Sequence, residues 1–260
     1  FRTGYKVPNY IYLQQSIPFF DRRWFPWRKQ ERILWFYKNI YPFFIRLFIN
    51  QRTELFVQLE YIKKCASIKF NIPTKKIHII TPSFTPHQPA GNSKMELDNH
   101  KIKLFYPAAP FFYKNHKIIT EALNMCDNKY IFTTYFTIAD RAIDNIMTDK
   151  TVQCIGHIPY DTVIELYGKV DALVFPSYIE SYGLPLLEAA YCGLPIVAAD
   201  LPYAREVLKG YPGAFFVKYN DPKQWCKALT HLKKGKKYPP FSPSENHSWK
   251  TMFQIIAKNN

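Results

Sequence analysis

The chain has 260 residues, 47% of them hydrophobic, and a formal net charge of +15. That apolar content supports a substantial core and excludes a disordered chain, and with no run near the roughly 18 apolar residues of a spanning helix and no secretory signal pattern, a soluble or peripheral protein is expected. The five cysteines, at 65, 126, 154, 192 and 226, are odd in number, widely spaced and without a Cys-x-x-Cys pair, which argues against a disulfide framework or zinc site and for a reducing cytoplasm.

From the amino end, the chain opens at Phe1 in what already reads as mid-domain, so further residues are expected to precede it. Residues 19–52 interleave aromatics such as Trp24, Trp27, Trp35, Phe43 and Phe44 with Arg22, Arg23, Arg28, Arg32 and Arg46, opposed only by Asp21 and Glu31. Aromatic rings favour the headgroup level of a membrane and each basic residue near an anionic leaflet adds about 1 kcal/mol, so this stretch can hold the protein on an anionic membrane surface. It reads equally as a core helix broken near Pro42. The two readings are compatible, since one helix face can be buried and the other left free. A charge of +15 calls for an acidic partner, but no nucleic-acid-binding module is recognisable and nucleic acid is not expected.

Ile77-His-Ile-Ile80 and Lys101-Ile-Lys-Leu-Phe-Tyr106 read as strands, and the turn-rich Ser83-Phe-Thr-Pro-His-Gln-Pro-Ala-Gly-Asn-Ser93 between them reads as a linker. It divides a partial amino-terminal domain, 1–85, from a carboxyl-terminal domain, 86–243. After it the pattern alternates: strand 101–106, helix 114–126, strand 130–136, helix 138–147, strand 151–155, helix 159–168, strand 171–175, helix 183–192, strand 195–199, helix 203–208, strand 214–217 and helix 221–233. Alternation of this kind means an α/β fold with a parallel, doubly wound sheet. Lys233-Lys-Gly-Lys-Lys237 reads as a solvated turn, and 244–258, with Trp249 and Phe253, as an amphipathic helix.

The most informative stretch is Phe175-Pro-Ser-Tyr-Ile-Glu-Ser-Tyr-Gly-Leu-Pro-Leu-Leu-Glu188. A buried strand ends there in a loop that opens into a helix near Gly183, the place where open α/β sheets bind ligands. Glu188 follows Leu186 and Leu187 on an apolar helix, so its carboxylate needs hydrogen-bond donors to offset desolvation, and the free amides of the helix start favour a phosphate. Two carboxylates for two sugar rings, with a diphosphate between, would describe a nucleotide-sugar site. The bare pair Glu180 and Glu188 also arises by chance.

Its surroundings decide the matter. Pro176-Ser177, Glu180, Tyr182-Gly-Leu-Pro185, Glu188-Ala189, Gly193-Leu-Pro-Ile-Val197 and Asp200-Leu-Pro-Tyr-Ala-Arg-Glu206 together resemble the carboxyl-terminal signature of retaining GT-B fold glycosyltransferases of the family-4 type (glycosyl transferases group 1), of the bacterial polysaccharide-biosynthesis kind. Upstream, Leu104-Phe-Tyr-Pro-Ala-Ala-Pro-Phe-Phe-Tyr-Lys-Asn-His116 and Ile155-Gly-His-Ile-Pro159 are similar to that family's Lys-bearing helix start and base-binding turn.

The resemblance implies a second Rossmann-like domain that is whole and a first that is partial, with 244–260 crossing back to the first. It implies transfer of a sugar, with retention, from a UDP- or GDP-sugar to a glycan or lipid-linked acceptor in cell-surface polysaccharide biosynthesis, at the cytoplasmic face of a membrane. By residue-wise carry-over Glu188 accepts the ribose hydroxyls, Glu180 binds the donor hexose and Lys114 contacts the diphosphate. Gly183, Leu184 and Pro185 line the sugar and phosphate, Gly156, His157 and Ile158 flank the base, and Gln14 stands where relatives commonly carry a His. Metal independence is implied, in keeping with the absence of an Asp-x-Asp motif, and no cofactor beyond the donor. Where relatives carry a phosphate-binding Arg, this chain has Pro107-Ala-Ala-Pro110, which leaves the second phosphate cation unassigned. A non-catalytic nucleotide-binding or membrane-docking module, or a nucleotide-sugar epimerase, are the alternatives.

Overall fold

The computed structural model describes residues 8–82, 95–139, 151–242 and 249–259. Contacts divide the chain into two compact units: Phe1–Phe84 with Ile179–Tyr182 and Ser244–Asn260, and Thr85–Tyr178 with Gly183–Pro243.

In the first unit, β1 (Asn9–Tyr12), β2 (Thr53–Val57) and β3 (Ile77–Ile79) form a parallel sheet in the order β1-β2-β3, with Ile11 opposite Leu55 and Leu55 opposite Ile77. Helices α1 (Arg32–Asn39) and α2 (Tyr41–Phe48) lie between β1 and β2, and α3 (Glu60–Phe70) between β2 and β3. The expected break near Pro42 is found: the chain turns at Ile40 and Pro42 falls in the first turn of α2, where a missing N–H costs nothing.

The basic aromatic stretch divides between buried and exposed side chains. Trp24, Leu34 and Ile45 are buried, while Trp27, Ile33, Phe36, Phe43, Phe44 and Leu47 are exposed. Buried Glu31 pairs with Arg28 at 3.3 Å and Arg22 at 3.6 Å and accepts from the Phe25 amide. The Lys38 ammonium donates to the Phe20 and Arg22 carbonyls and Arg46 to that of Lys69, so part of the positive charge organises the unit itself.

The second unit alternates strand and helix: β4 (Ile102–Tyr106), α4 (His116–Met125), β5 (Phe132–Phe136), β6 (Val152–Cys154), α5 (Tyr160–Lys169), β7 (Ala172–Phe175), α6 (Leu184–Tyr191), β8 (Ile196–Ala199), α7 (Pro202–Val207), β9 (Ala214–Val217) and α8 (Pro222–Thr230). The strands match the expected positions to within a residue or two, and the runs of β4, β5, β7 and β8 are buried on both faces: Leu104, Phe105, Phe136, Leu173, Val174, Val197 and Ala198 are all solvent-inaccessible. They form one six-stranded parallel sheet in the order β6-β5-β4-β7-β8-β9. Order runs outward in one direction from β4 and in the other from β7, so the topological switch point lies between these two strands, and a crevice opens beyond their carboxyl ends.

Two expected helix bounds are corrected. The helix expected from 114 starts at His116, because Lys114 closes a 3-10 turn (Phe112–Lys114) and Asn115 then takes a left-handed conformation, φ 58°. Asn115 is held there by donating through Nδ2 to the Tyr219 carbonyl at 2.8 Å and that of Pro176 at 3.4 Å. The helix expected to 233 ends at Thr230. Of the helix expected over 138–147, Ile138 and Ala139 are not helical, and the rest, like the linker 83–93, lies outside the described residues.

The closing helix α9 (Trp249–Asn259) sorts with the first unit. The Trp249 ring lies 5.1 Å from that of Tyr12, and Tyr10 donates its hydroxyl to the Ile256 carbonyl.

Candidate functional site

A cavity of about 650 Å³ opens in the second unit, lined by Pro107–Pro110 after β4, Thr137–Ala139 after β5, His157 and Ile158 after β6, Tyr160 and Val163 of α5, and Leu184, Pro185 and Glu188 of α6. Each of those loops leaves the carboxyl end of a strand, as a binding crevice of an open α/β sheet requires. The walls are mainly apolar, with polar groups placed singly among them, the usual make-up of a small-molecule site.

Glu188 is the buried charge in that wall, 6% exposed. Helix α6 carries it because Leu186, Leu187, Ala189 and Ala190 bury the remaining faces against the sheet. The helix begins where Gly183 adopts φ 93°, a left-handed conformation that a side chain disfavours, and Pro185 fits the first turn without loss of an intrahelical bond. The carboxylate is not waiting for a ligand to satisfy it: Tyr160 donates to Oε1 at 2.8 Å and Tyr167 to Oε2 at 2.9 Å. Burial pushes the Glu188 carboxyl up from its ordinary value, and the two hydroxyls oppose that by bonding to its ionised form. Burial next to this carboxylate pushes both tyrosine hydroxyls up, so they stay protonated donors.

The turn after β6 is built by backbone. Gly156 at φ 72° donates its amide to the Ile138 carbonyl at 2.9 Å, and Ile155 to that of Phe136. This joins the loops after β5 and β6 into one wall and presents exposed His157 beside Ile158.

Of the residues proposed from sequence, His157, Ile158, Leu184, Pro185 and Glu188 line this one cavity, and Gly156 and Gly183 shape the turns that carry them. Lys114 is not among the lining residues. It sits in the turn before α4, its carbonyl accepting from the Tyr106 hydroxyl at 2.7 Å and its ammonium 5.7 Å from the Tyr113 ring. Glu180 sorts with the first unit, where its carbonyl lies 3.5 Å from the Tyr61 hydroxyl, and Gln14 lies exposed after β1.

Sequence reasoning missed Tyr160 and Tyr167. Their seven-residue spacing puts them on one face of α5, a signal that was present but pointed to no particular carboxylate. Among the described residues no group of three or more His, Cys, Asp or Glu could hold a metal ion, and no helix is long and apolar enough to cross a membrane. The five cysteines are free.

Residues 92–242 match the model of the family described as glycosyl transferases group 1. The O-antigen chain mannosyltransferase RfbU of Salmonella typhimurium is 26% identical over 203 residues, covering 75% of this chain and 55% of that protein. The serotype-specific mannosyltransferase WbdA of Escherichia coli is 30% identical over 114 residues, 43% of this chain and 14% of that protein. This chain thus spans about half the length, or less, of those relatives.

Among solved structures, Anabaena Alr3699/HepE in complex with UDP and glucose superposes with a TM-score of 0.62 at 16% identity, over 86% of this chain and 61% of that one. WaaG, a glycosyltransferase involved in lipopolysaccharide biosynthesis, gives 0.58 at 17% identity, over 75% of this chain and 59% of that one. The α/β fold with parallel sheets is therefore that of GT-B glycosyltransferases. With the family model extending from before β4 to beyond α8, across every wall of the cavity, the chain belongs to the glycosyl transferases group 1.

Proposed function

We propose that this chain carries the donor-binding half of a retaining glycosyltransferase that moves a hexose from a UDP- or GDP-sugar to a glycan or lipid-linked acceptor in cell-surface polysaccharide biosynthesis. The observation that carries this reading is the cavity beyond the switch point, where the buried Glu188 carboxylate shares one apolar wall system with His157, Ile158, Leu184 and Pro185. The mannosyltransferases RfbU and WbdA and the UDP complexes of HepE support a nucleotide-sugar donor.

In this reading Glu188 receives the ribose hydroxyls, the turn Gly156, His157 and Ile158 flanks the base, and the helix start at Gly183, Leu184 and Pro185 faces sugar and phosphate. Glu180 binds the hexose hydroxyls, with Gln14 as a neutral hydrogen-bonding neighbour, and Lys114 offsets the charge that grows on the diphosphate as it leaves. No metal is needed: the departing phosphate takes the acceptor's proton as the new bond forms on the same face, which retains the anomeric configuration. The exposed aromatic face of α1 and α2 docks the protein on the inner, anionic face of a membrane, where a lipid-linked acceptor resides.

The test is incubation with UDP-hexose and GDP-hexose donors, followed by product analysis by NMR. Release or transfer of an α-sugar from an α-linked donor is expected. An inverted product, or an epimerised donor in place of transfer, would overturn the reading.

A further inference from the structure

We infer that Tyr160 and Tyr167 are donor-positioning residues, whose hydroxyls hold the Glu188 carboxylate in the orientation from which it receives the ribose hydroxyls. This rests on the assignment of Glu188 to the ribose. The two tyrosines project from α5 at positions seven apart and converge on the two oxygens of one carboxylate, at 2.8 Å and 2.9 Å. Each oxygen has two acceptor positions. One on each is taken by a tyrosine, which leaves one on each free to accept, the arrangement that suits a vicinal diol.

The two partners differ in setting. Tyr167 is wholly buried behind the carboxylate, whereas Tyr160 is half exposed and lines the cavity with Glu188 itself. Tyr160 also stands in the first turn of α5, three residues after His157. A single short segment thus contributes both to the wall beside the expected base and to the orientation of the expected ribose acceptor. A buried carboxylate with no such partners would turn within its pocket or take up a proton, and either change weakens what it can accept.

Tyr160→Phe keeps the ring in the wall and removes only the hydroxyl. The experiment is titration calorimetry of UDP and GDP, and of their 2′,3′-dideoxy counterparts, with the unsubstituted protein and with this variant. The unsubstituted protein is expected to bind the ribonucleotide at least ~10-fold more tightly than the dideoxynucleotide, the scale of hydrogen bonds to a charged group. In Tyr160→Phe that ratio is expected to shrink to about 3-fold or less, with dideoxynucleotide affinity little changed, the signature of coupling between hydroxyl and ribose. Tyr167→Phe is expected to shrink the ratio in the same way, with a lower melting temperature. If Tyr160→Phe leaves the ratio intact, whether affinities fall together or stay the same, the positioning role is overturned while the donor site stands. If the unsubstituted protein does not distinguish ribose from dideoxyribose, the assignment of Glu188 falls and the inference with it.

Discussion

His116 is a buried titratable group of the second unit that the proposed chemistry does not use. It opens α4 at 1% exposure, with its ring centre 4.6 Å from that of Tyr106 and 5.1 Å from that of Phe136. Neither ring nitrogen reaches hydrogen-bond geometry, although the Ala108 carbonyl favours the protonated form, and burial drives the pKa from 6.5 down to about 4. Between those values the unfolded chain binds a proton that the folded chain refuses, so the contribution is present above pH 6.5 and lost as pH falls toward 4, by up to about 3 kcal/mol. His116→Phe is expected to flatten the decline in stability between pH 7 and pH 5 in urea unfolding; an unchanged slope would place the acid sensitivity elsewhere. At this scale the sequence revealed Glu188 by its place on an apolar helix, but not how it is satisfied. Its two partners lie 28 and 21 residues upstream, and only the packing of α5 beside α6 brings them to it.

Elements in the second unit are joined by backbone contacts that leave little room. Gly193, between α6 and β8, adopts φ 69°, and a Cβ there would stand 2.3 Å from the Tyr238 carbonyl oxygen. The same crossing is tied by Tyr238 donating to the Gly193 carbonyl at 2.8 Å and Phe241 to that of Ala190 at 3.1 Å. Gly235 has nearly the same φ, 68°, with open space around it. Gly193→Ala is therefore expected to cost clearly more than Gly235→Ala, which should cost about 1 kcal/mol for the left-handed backbone alone. Equal losses by chemical denaturation would mean that the 236–241 segment yields freely. The alternation of strand and helix was legible because the strands β7 and β8 are short apolar runs and β4 is nearly so. The boundary at Lys114 was not, since the left-handed turn at Asn115 depends on carbonyls 61 and 104 residues away.

For the whole molecule, the sequence announced a parallel α/β protein but not its strand order. The order β6-β5-β4-β7-β8-β9 emerges only from pairing across the sheet, and it is this order that opens the crevice beside β4 and β7. The charge of +15 and the exposed face of Ile33, Phe36, Phe43, Phe44 and Leu47 lead to an expectation at the same scale. The protein should sediment with vesicles containing phosphatidylserine and not with phosphatidylcholine alone, less so as salt is raised, and Phe43→Ser with Phe44→Ser should reduce that binding. Equal sedimentation with both lipids would remove the electrostatic part of the reading. The donor site itself is tested most directly by titration calorimetry with UDP and GDP against the protein and its Glu188→Ala variant. One of the two nucleotides is expected to bind with micromolar to millimolar affinity, weakened by ~10-fold or more in the variant. If neither nucleotide binds, or the variant binds as the parent does, Glu188 is not the heart of a nucleotide-sugar site.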